Sequence, residues 1–254
     1  MCRLLGTVST APVTVDELLG DERGAFLALA TQHGDGWGHA WTGPDELQVR
    51  KEATSALVSR ELTALAAGER AESSLTHLRW ATLGLSVRPA NTHPFTAPGF
   101  AFAHNGSISP PEALEALIAP HLRHQRQGDT DSERYFLAVL SRIAEGASPT
   151  EALARTVADV LAGGAVVHSL NCLLLTPEAL LAVCCYDPDS SDGPEYYRLL
   201  YRRTRDTVVV ASTGWSRKTD WSSLPNGQLL VVERGSLRTT LFPVCTPTRV
   251  RMAE

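Results

Sequence analysis

The sequence predicts a mixed α+β fold in one domain spanning residues 1–254, and three observations carry that expectation. Short apolar runs bounded by turn residues recur along the chain and dominate from residue 166 onward. Segments with a 3.6-residue period and helix-cap signals interrupt them in the first two thirds. A chain of 254 residues, 43% hydrophobic and 20% charged, is long enough to bury a substantial core.

Residues 2–8 read as a strand, and residues 22–31 carry helical spacing at Phe26, Leu27, Leu29 and Ala30. The glycine-dense run His33-Gly34-Asp35-Gly36-Trp37-Gly38 follows, permitting close backbone approach before a strand at 37–41. It lacks the Gly-x-Gly-x-x-Gly spacing of a dinucleotide site. Residues 47–52 pair as a hairpin, and Ser55 is expected to cap a helix to about Ala66 with Leu57, Val58, Leu62 and Leu65 on one face. Strands at 75–79 and 100–103 each deliver a polar cluster to a loop: Arg79-Trp80-Ala81-Thr82 and His104-Asn105-Gly106. Between them, Pro94 forces His93 into an extended conformation.

Pro110-Pro111 opens an expected helix to about Leu122, and Thr130 or Asp131 caps another carrying Leu137, Leu140 and Ile143. Ser148-Pro149-Thr150-Glu151 has the capping-box pattern, and Gly163-Gly164 ends that helix. Strands are expected at 166–175, 180–186, 197–203, 207–211, 228–232 and 237–242.

Charge and composition exclude several functions. A net charge of −5 and no Lys/Arg run give no field for a phosphate backbone, so no nucleic acid partner is expected. No apolar stretch approaches bilayer length and no signal region opens the chain, so the expectation is a cytoplasmic protein with no membrane partner. Five cysteines without a Cys-x-x-Cys pair argue against a disulfide framework or zinc site. Asp187, Asp189 and Asp192 resemble a calcium loop, but Arg198 stands where a bidentate carboxylate belongs. No metal or cofactor is expected.

The chemistry centres on Met1-Cys2-Arg3. Removal of Met1 would leave one residue carrying both a thiol, with pKa about 8.5, and an α-amine, about 7.7 to 8.0, able to take its proton. An attacking Cys2 needs oxyanion donors, which Asn105 and Gly106 supply as a side-chain amide and a backbone N–H. A substrate α-carboxylate needs a donor fork such as Arg79, and an α-ammonium needs a carboxylate such as Asp131.

Taken together, these pieces closely resemble the class II glutamine amidotransferases of the N-terminal nucleophile (Ntn) hydrolase superfamily. That family opens Met-Cys and continues through His-x-Arg-Trp-Ala-Thr, Asn-Thr-His-Pro, His-Asn-Gly and an acidic Thr-Asp-Ser/Thr-Glu. Here they are Met1-Cys2, His77-Leu78-Arg79-Trp80-Ala81-Thr82, Asn91-Thr92-His93-Pro94, His104-Asn105-Gly106 and Thr130-Asp131-Ser132-Glu133. The resemblance is strong over roughly the first 135 residues. One departure is Leu83, where glucosamine-phosphate-synthase-type members have histidine.

The resemblance implies a four-layer αββα sandwich of two antiparallel sheets. It also implies that Cys2 is the nucleophile, Asn105 and Gly106 the oxyanion hole, and Asp131 the ammonium ligand. Arg79 would hold the α-carboxylate with Thr82 and His93, and Trp80 would gate the pocket. The substrate is then glutamine or another γ-glutamyl compound, cleaved through a thioester, with ammonia passed to a separate synthase or to an amine acceptor. The alternatives are a γ-glutamyl amidohydrolase acting on a larger metabolite, as in the ergothioneine pathway, and a non-catalytic glutamine-binding subunit.

Overall fold

The computed structural model describes residues 2–81, 84–190, 192–215 and 220–245. Two antiparallel sheets pack face to face. The first orders its strands β11-β9-β10-β1-β4-β2-β3, and the second β13-β12-β8-β7-β6-β5. In the first sheet these are β1 (Arg3–Val13), β2 (Trp37–Thr42), β3 (Leu47–Glu52), β4 (Ala71–Leu78), β9 (Leu199–Arg203), β10 (Thr207–Ser212) and β11 (Ser222–Ser223). The second contains β5 (Phe95–Ala97), β6 (Phe100–Ser109), β7 (Val166–Leu175), β8 (Ala179–Cys184), β12 (Gln228–Glu233) and β13 (Thr239–Pro243). Helices α1 (Val15–Leu19), α2 (Arg23–Ala28) and α3 (Arg60–Gly68) cover the first sheet; α4 (Asp131–Ala144) and α5 (Pro149–Ala162) cover the second.

Strand alternation builds the layers. On β1, Leu4 and Val8 face the other sheet, while Leu5 faces the helices with Phe26 and Leu62. On β8, Leu180, Ala182 and Cys184 point between the sheets, while Leu181 and Val183, with Cys185 just beyond the strand, point to α4 and α5. Both faces of the central strands are therefore apolar, and each fully buried Leu or Val contributes roughly 1.5–3 kcal/mol. The fold is the αββα sandwich that the sequence implied.

Several boundaries differ from expectation. The helix expected at 22–31 is broken into 3₁₀ turns at Gly20–Glu22 and Leu29–Thr31 around α2, and α1 precedes it. The helix expected from Ser55 starts instead after Ser59, whose hydroxyl accepts from the Leu62 amide at 3.1 Å. Leu57 and Val58 are exposed, so they line no buried face. The helix expected at 110–122 is two 3₁₀ segments, Pro111–Leu117 and Pro120–Gln125, because Pro120 offers no N–H to an α-helical ladder. Strand β6 runs on through His104, Asn105 and Gly106, which sit within a strand rather than past its end.

Thr130 is the N-cap of α4, accepting from the Glu133 amide at 3.1 Å, so Asp131 is the first helical residue. The Ser148 capping box is formed as expected. A short helix, α6 (Pro194–Tyr197), replaces the start of the strand expected at 197. In the acidic loop, Asp187 accepts from the Asp189 amide at 3.0 Å and Asp192 from the Tyr197 hydroxyl at 2.7 Å, so both carboxylates serve the loop itself. Among the described residues, no helix is long and apolar enough to cross a membrane.

Candidate active site

Alternation along three strands aims the candidate residues at one place. Cys2, just before β1, continues the inner-facing alternation of Leu4 and Val8; His77 and then Arg79, just past β4, continue that of Leu75; and Asn105 continues that of Ala101 and Ala103 on β6. Nucleophile and oxyanion candidates thus stand on opposed sheet faces. Gly38 on β2 permits the close approach of the His93-Pro94 segment: a Cβ there would lie 2.0 Å from the carbonyl oxygen of His93.

A cavity of about 190 Å³ opens at the start of β1 and the end of β4, beside the later part of β6, lined by Cys2, Arg79, Trp80, His93, Gly106 and Asp131 among others. The Cys2 sulfur lies 3.5 Å from both the backbone nitrogen and the carbonyl oxygen of Trp80. The loop carrying Trp80 is fixed from behind: the Ala81 amide donates to Asp35 Oδ2 at 2.8 Å, and the Arg79 amide to the Gly36 carbonyl at 2.8 Å.

Several groups here are buried without the partners burial ordinarily demands, among them Arg79, Asn105 and the His77 and His93 rings. Arg79 is 3% exposed; its Nη2 donates to the Ser86 carbonyl at 3.3 Å, while Nη1 has no partner. Asn105 is fully buried, and neither its amide nitrogen nor its oxygen has a hydrogen bond. Each unsatisfied polar group costs roughly 1–3 kcal/mol. Asn105 does not itself line the cavity, whereas Gly106 does, and a Cβ at Gly106 would lie 1.8 Å from the Ser169 carbonyl. Asp131 accepts from the Ile108 amide and the Ser132 amide, each at 2.8 Å, so the helix start and β6 hold its carboxylate rigidly. Thr82 lies outside the described residues.

The family profile of class-II glutamine amidotransferases matches residues 1–189. The chain belongs to that family. The match extends past the motifs that suggested it, through α4, α5 and β8. An uncharacterised protein of Methanocaldococcus jannaschii is 26% identical over 93% of this chain and 70% of its own length. A glutamine aminotransferase class-II domain protein from Silicibacter pomeroyi has the same fold, with TM-score 0.69 and 21% identity over 96% of this chain and all of that one. The glutamine PRPP amidotransferase of B. subtilis superposes with TM-score 0.63 at 15% identity; this chain spans 49% of its length.

In this amidotransferase the electrostatics of the cavity derive from burial and from the charges of Arg79 and Asp131. Desolvation pushes the Cys2 thiol above its usual pKa, opposed by the Trp80 backbone bond and the nearby Arg79 and Arg3 charges. His77 and His93, whose rings lie 4.2 Å apart, are held well below the usual imidazole range first by burial, reinforced at His77 by the Arg79 charge and at His93 by His77. Burial also lowers His104, with the Asp131 charge opposing. The floor of the cavity is therefore neutral imidazole, leaving Arg79 as its cationic anchor.

Residues absent from the sequence-based site list also shape the cavity. His104 accepts from or donates to Ser132 Oγ at 2.9 Å through Nδ1, and its Nε2 is 2.9 Å from the Ser169 carbonyl. A carbonyl only accepts, so Nε2 carries the proton and Nδ1 accepts from Ser132. Asn91 donates to the Ser86 carbonyl at 3.1 Å and accepts from the Asp129 amide at 2.9 Å, tying the loop beneath Arg79 to the start of α4. Both residues stood within quoted motifs; their supporting role is legible only once β6 and α4 are side by side.

Proposed function

We propose that this chain cleaves a γ-glutamyl amide through a thioester on Cys2. The observation that carries the reading is one small cavity lined at once by the Cys2 thiol, the Arg79 guanidinium and the Asp131 carboxylate. After loss of Met1, the freed α-amine takes the thiol proton, and the sulfur bonds to the γ-carbonyl carbon. The Gly106 N–H at the cavity wall receives the developing oxyanion, and the unpartnered Asn105 amide buried behind it turns toward the same oxygen, a contribution worth about 2.7–4 kcal/mol per donor. The C–N bond then breaks, the proton passes to the departing nitrogen, and water attacks the thioester to give glutamate and the free thiol. Arg79 and Asp131 grip the α-carboxylate and α-ammonium, His93 supports the carboxylate side, and Trp80, 44% exposed with its edge against the His33 ring, covers the mouth.

The raised thiol pKa supports the need for an internal base, because a protonated buried thiol is a poor nucleophile. Ammonia released from glutamine would go to a separate synthase or amine acceptor. A second reading, removal of γ-glutamyl from a larger amine, is favoured by a second groove beside Arg3. Glutamate release from glutamine by the purified protein, and its loss in Cys2→Ala, tests the proposal; release at undiminished rate by Cys2→Ala would end it.

A further inference from the structure

Arg3 directly follows the nucleophile and is 3% exposed, yet among the described residues no carboxylate pairs with it. Its Nη1 donates to the Cys2 carbonyl at 3.1 Å, its guanidinium sits 4.4 Å from the Tyr196 ring centroid, and its Nε is buried with no hydrogen-bond partner. A buried charge is ordinarily paired, because desolvation is otherwise uncompensated. Stacking on Tyr196 and a side-chain hydrogen bond with it offset part of that cost, and the unfilled Nε donor leaves the rest to an anion.

The space for that anion exists. A groove of about 470 Å³ is bounded by Arg3, Tyr196, Thr213 and Trp215, with Asp192 and Glu195 also lining it. Both carboxylates are already engaged, Asp192 by the Tyr197 hydroxyl at 2.7 Å and Glu195 by Arg198. Along β1, Arg3 takes the face opposite to Cys2, so the groove and the Cys2 cavity lie on the two sides of one strand end, bridged by the Arg3–Cys2 carbonyl bond.

We propose that this groove seats the amine half of the substrate, an organic amine bearing a carboxylate that pairs with Arg3 and an apolar body that packs on Tyr196 and Trp215. This rests on acyl transfer at Cys2 and specifies its substrate class. The Arg79–Asp131 cavity holds the glutamyl head, the scissile nitrogen leaves past the sulfur, and the departing amine extends toward Arg3. Free ammonia would use neither the guanidinium nor the aromatic walls, so the preferred substrate is a γ-glutamyl conjugate rather than glutamine.

The test compares glutamate release from glutamine, γ-glutamylphenylalanine and γ-glutamylphenylalanine amide, the last two differing only in the charge of the amine half. The acid is expected to exceed its amide in kcat/KM by about tenfold or more, as a charge-assisted hydrogen bond predicts. In Arg3→Gln that ratio is expected to collapse to near unity whatever the overall rate. Cleavage of acid and amide at equal kcat/KM by the wild type overturns the assignment while leaving the Cys2 reading intact, as does an unchanged ratio in folded Arg3→Gln. Release of no glutamate from any of the three overturns both. Should Arg3→Gln fail to fold, the wild-type ratio decides alone.

Discussion

The carboxylate of Asp35 accepts a 2.8 Å hydrogen bond from the backbone amide of Ala81, and through it the turn before β2 holds the loop that touches the Cys2 sulfur. The return bond from the Asp35 amide to the Arg79 carbonyl, at 3.1 Å, closes the pair. Asp35 is thus a positioning residue for Trp80 and, through Trp80, for the Cys2 sulfur 3.5 Å away.

Replacing Asp35 by Ala removes that acceptor and leaves the Ala81 amide unmatched. The expected stability loss is about 1–2 kcal/mol, with a fall in kcat of about tenfold or more from the displaced loop. Denaturant midpoints and steady-state kinetics read the two effects separately; unchanged kcat in a destabilised protein would mean that the turn supports the fold alone.

Arg79→Lys keeps the charge but removes the planar fork. Loss of one charge-assisted hydrogen bond is worth about 1.5–3 kcal/mol, so KM for glutamine is expected to rise about 10- to 100-fold. Isothermal titration on the Cys2→Ala background separates binding from turnover. Equal affinity in Arg79→Lys would remove Arg79 from the carboxylate site.

His39 gives the fold a pH dependence of calculable sign. It is buried on β2, 2.9 Å from Thr76 Oγ1 and stacked on Trp41, and burial lowers its pKa from 6.5 to about 4. The folded state therefore refuses a proton that the unfolded chain accepts. Its contribution is fully present above pH 6.5 and is lost as pH falls toward about 4, at up to ~1.4 kcal/mol per pH unit. His77 and His93, also depressed, act in the same direction. Urea midpoints between pH 7.5 and 5 should decline less steeply in His39→Gln than in the parent, and equal slopes would contradict the assignment.

Much of the site was legible because its chemistry sits in short linear segments. Arg79-Trp80, His104-Asn105-Gly106 and Thr130-Asp131 each read as a motif, and α4 and α5 announced themselves through Thr130 and the Ser148 capping box. What escaped depended on partners distant in sequence. The length of β6 past Ala103 is set by pairing with β7, where Asn105 faces Asn171, not by its own residues. Leu57 and Val58 satisfy a helical period yet lie in solvent, because Ser59 rather than Ser55 takes the capping bond. Arg3, though it stands beside Cys2, had no role assigned to it; that no carboxylate pairs with it among the described residues appears only when α6 and β10 are folded around it.

The central claim is that the thiol of Cys2, freed at the amino terminus, carries the acyl group. Intact-mass and peptide-mapping spectrometry of protein quenched in acid during turnover of a γ-glutamyl substrate tests it most directly. The account predicts a chain lacking Met1 that gains the mass of one γ-glutamyl group on the peptide beginning at Cys2. A chain that retains Met1 and still turns over substrate, or an adduct on Cys172, Cys184, Cys185 or Cys245, would contradict it.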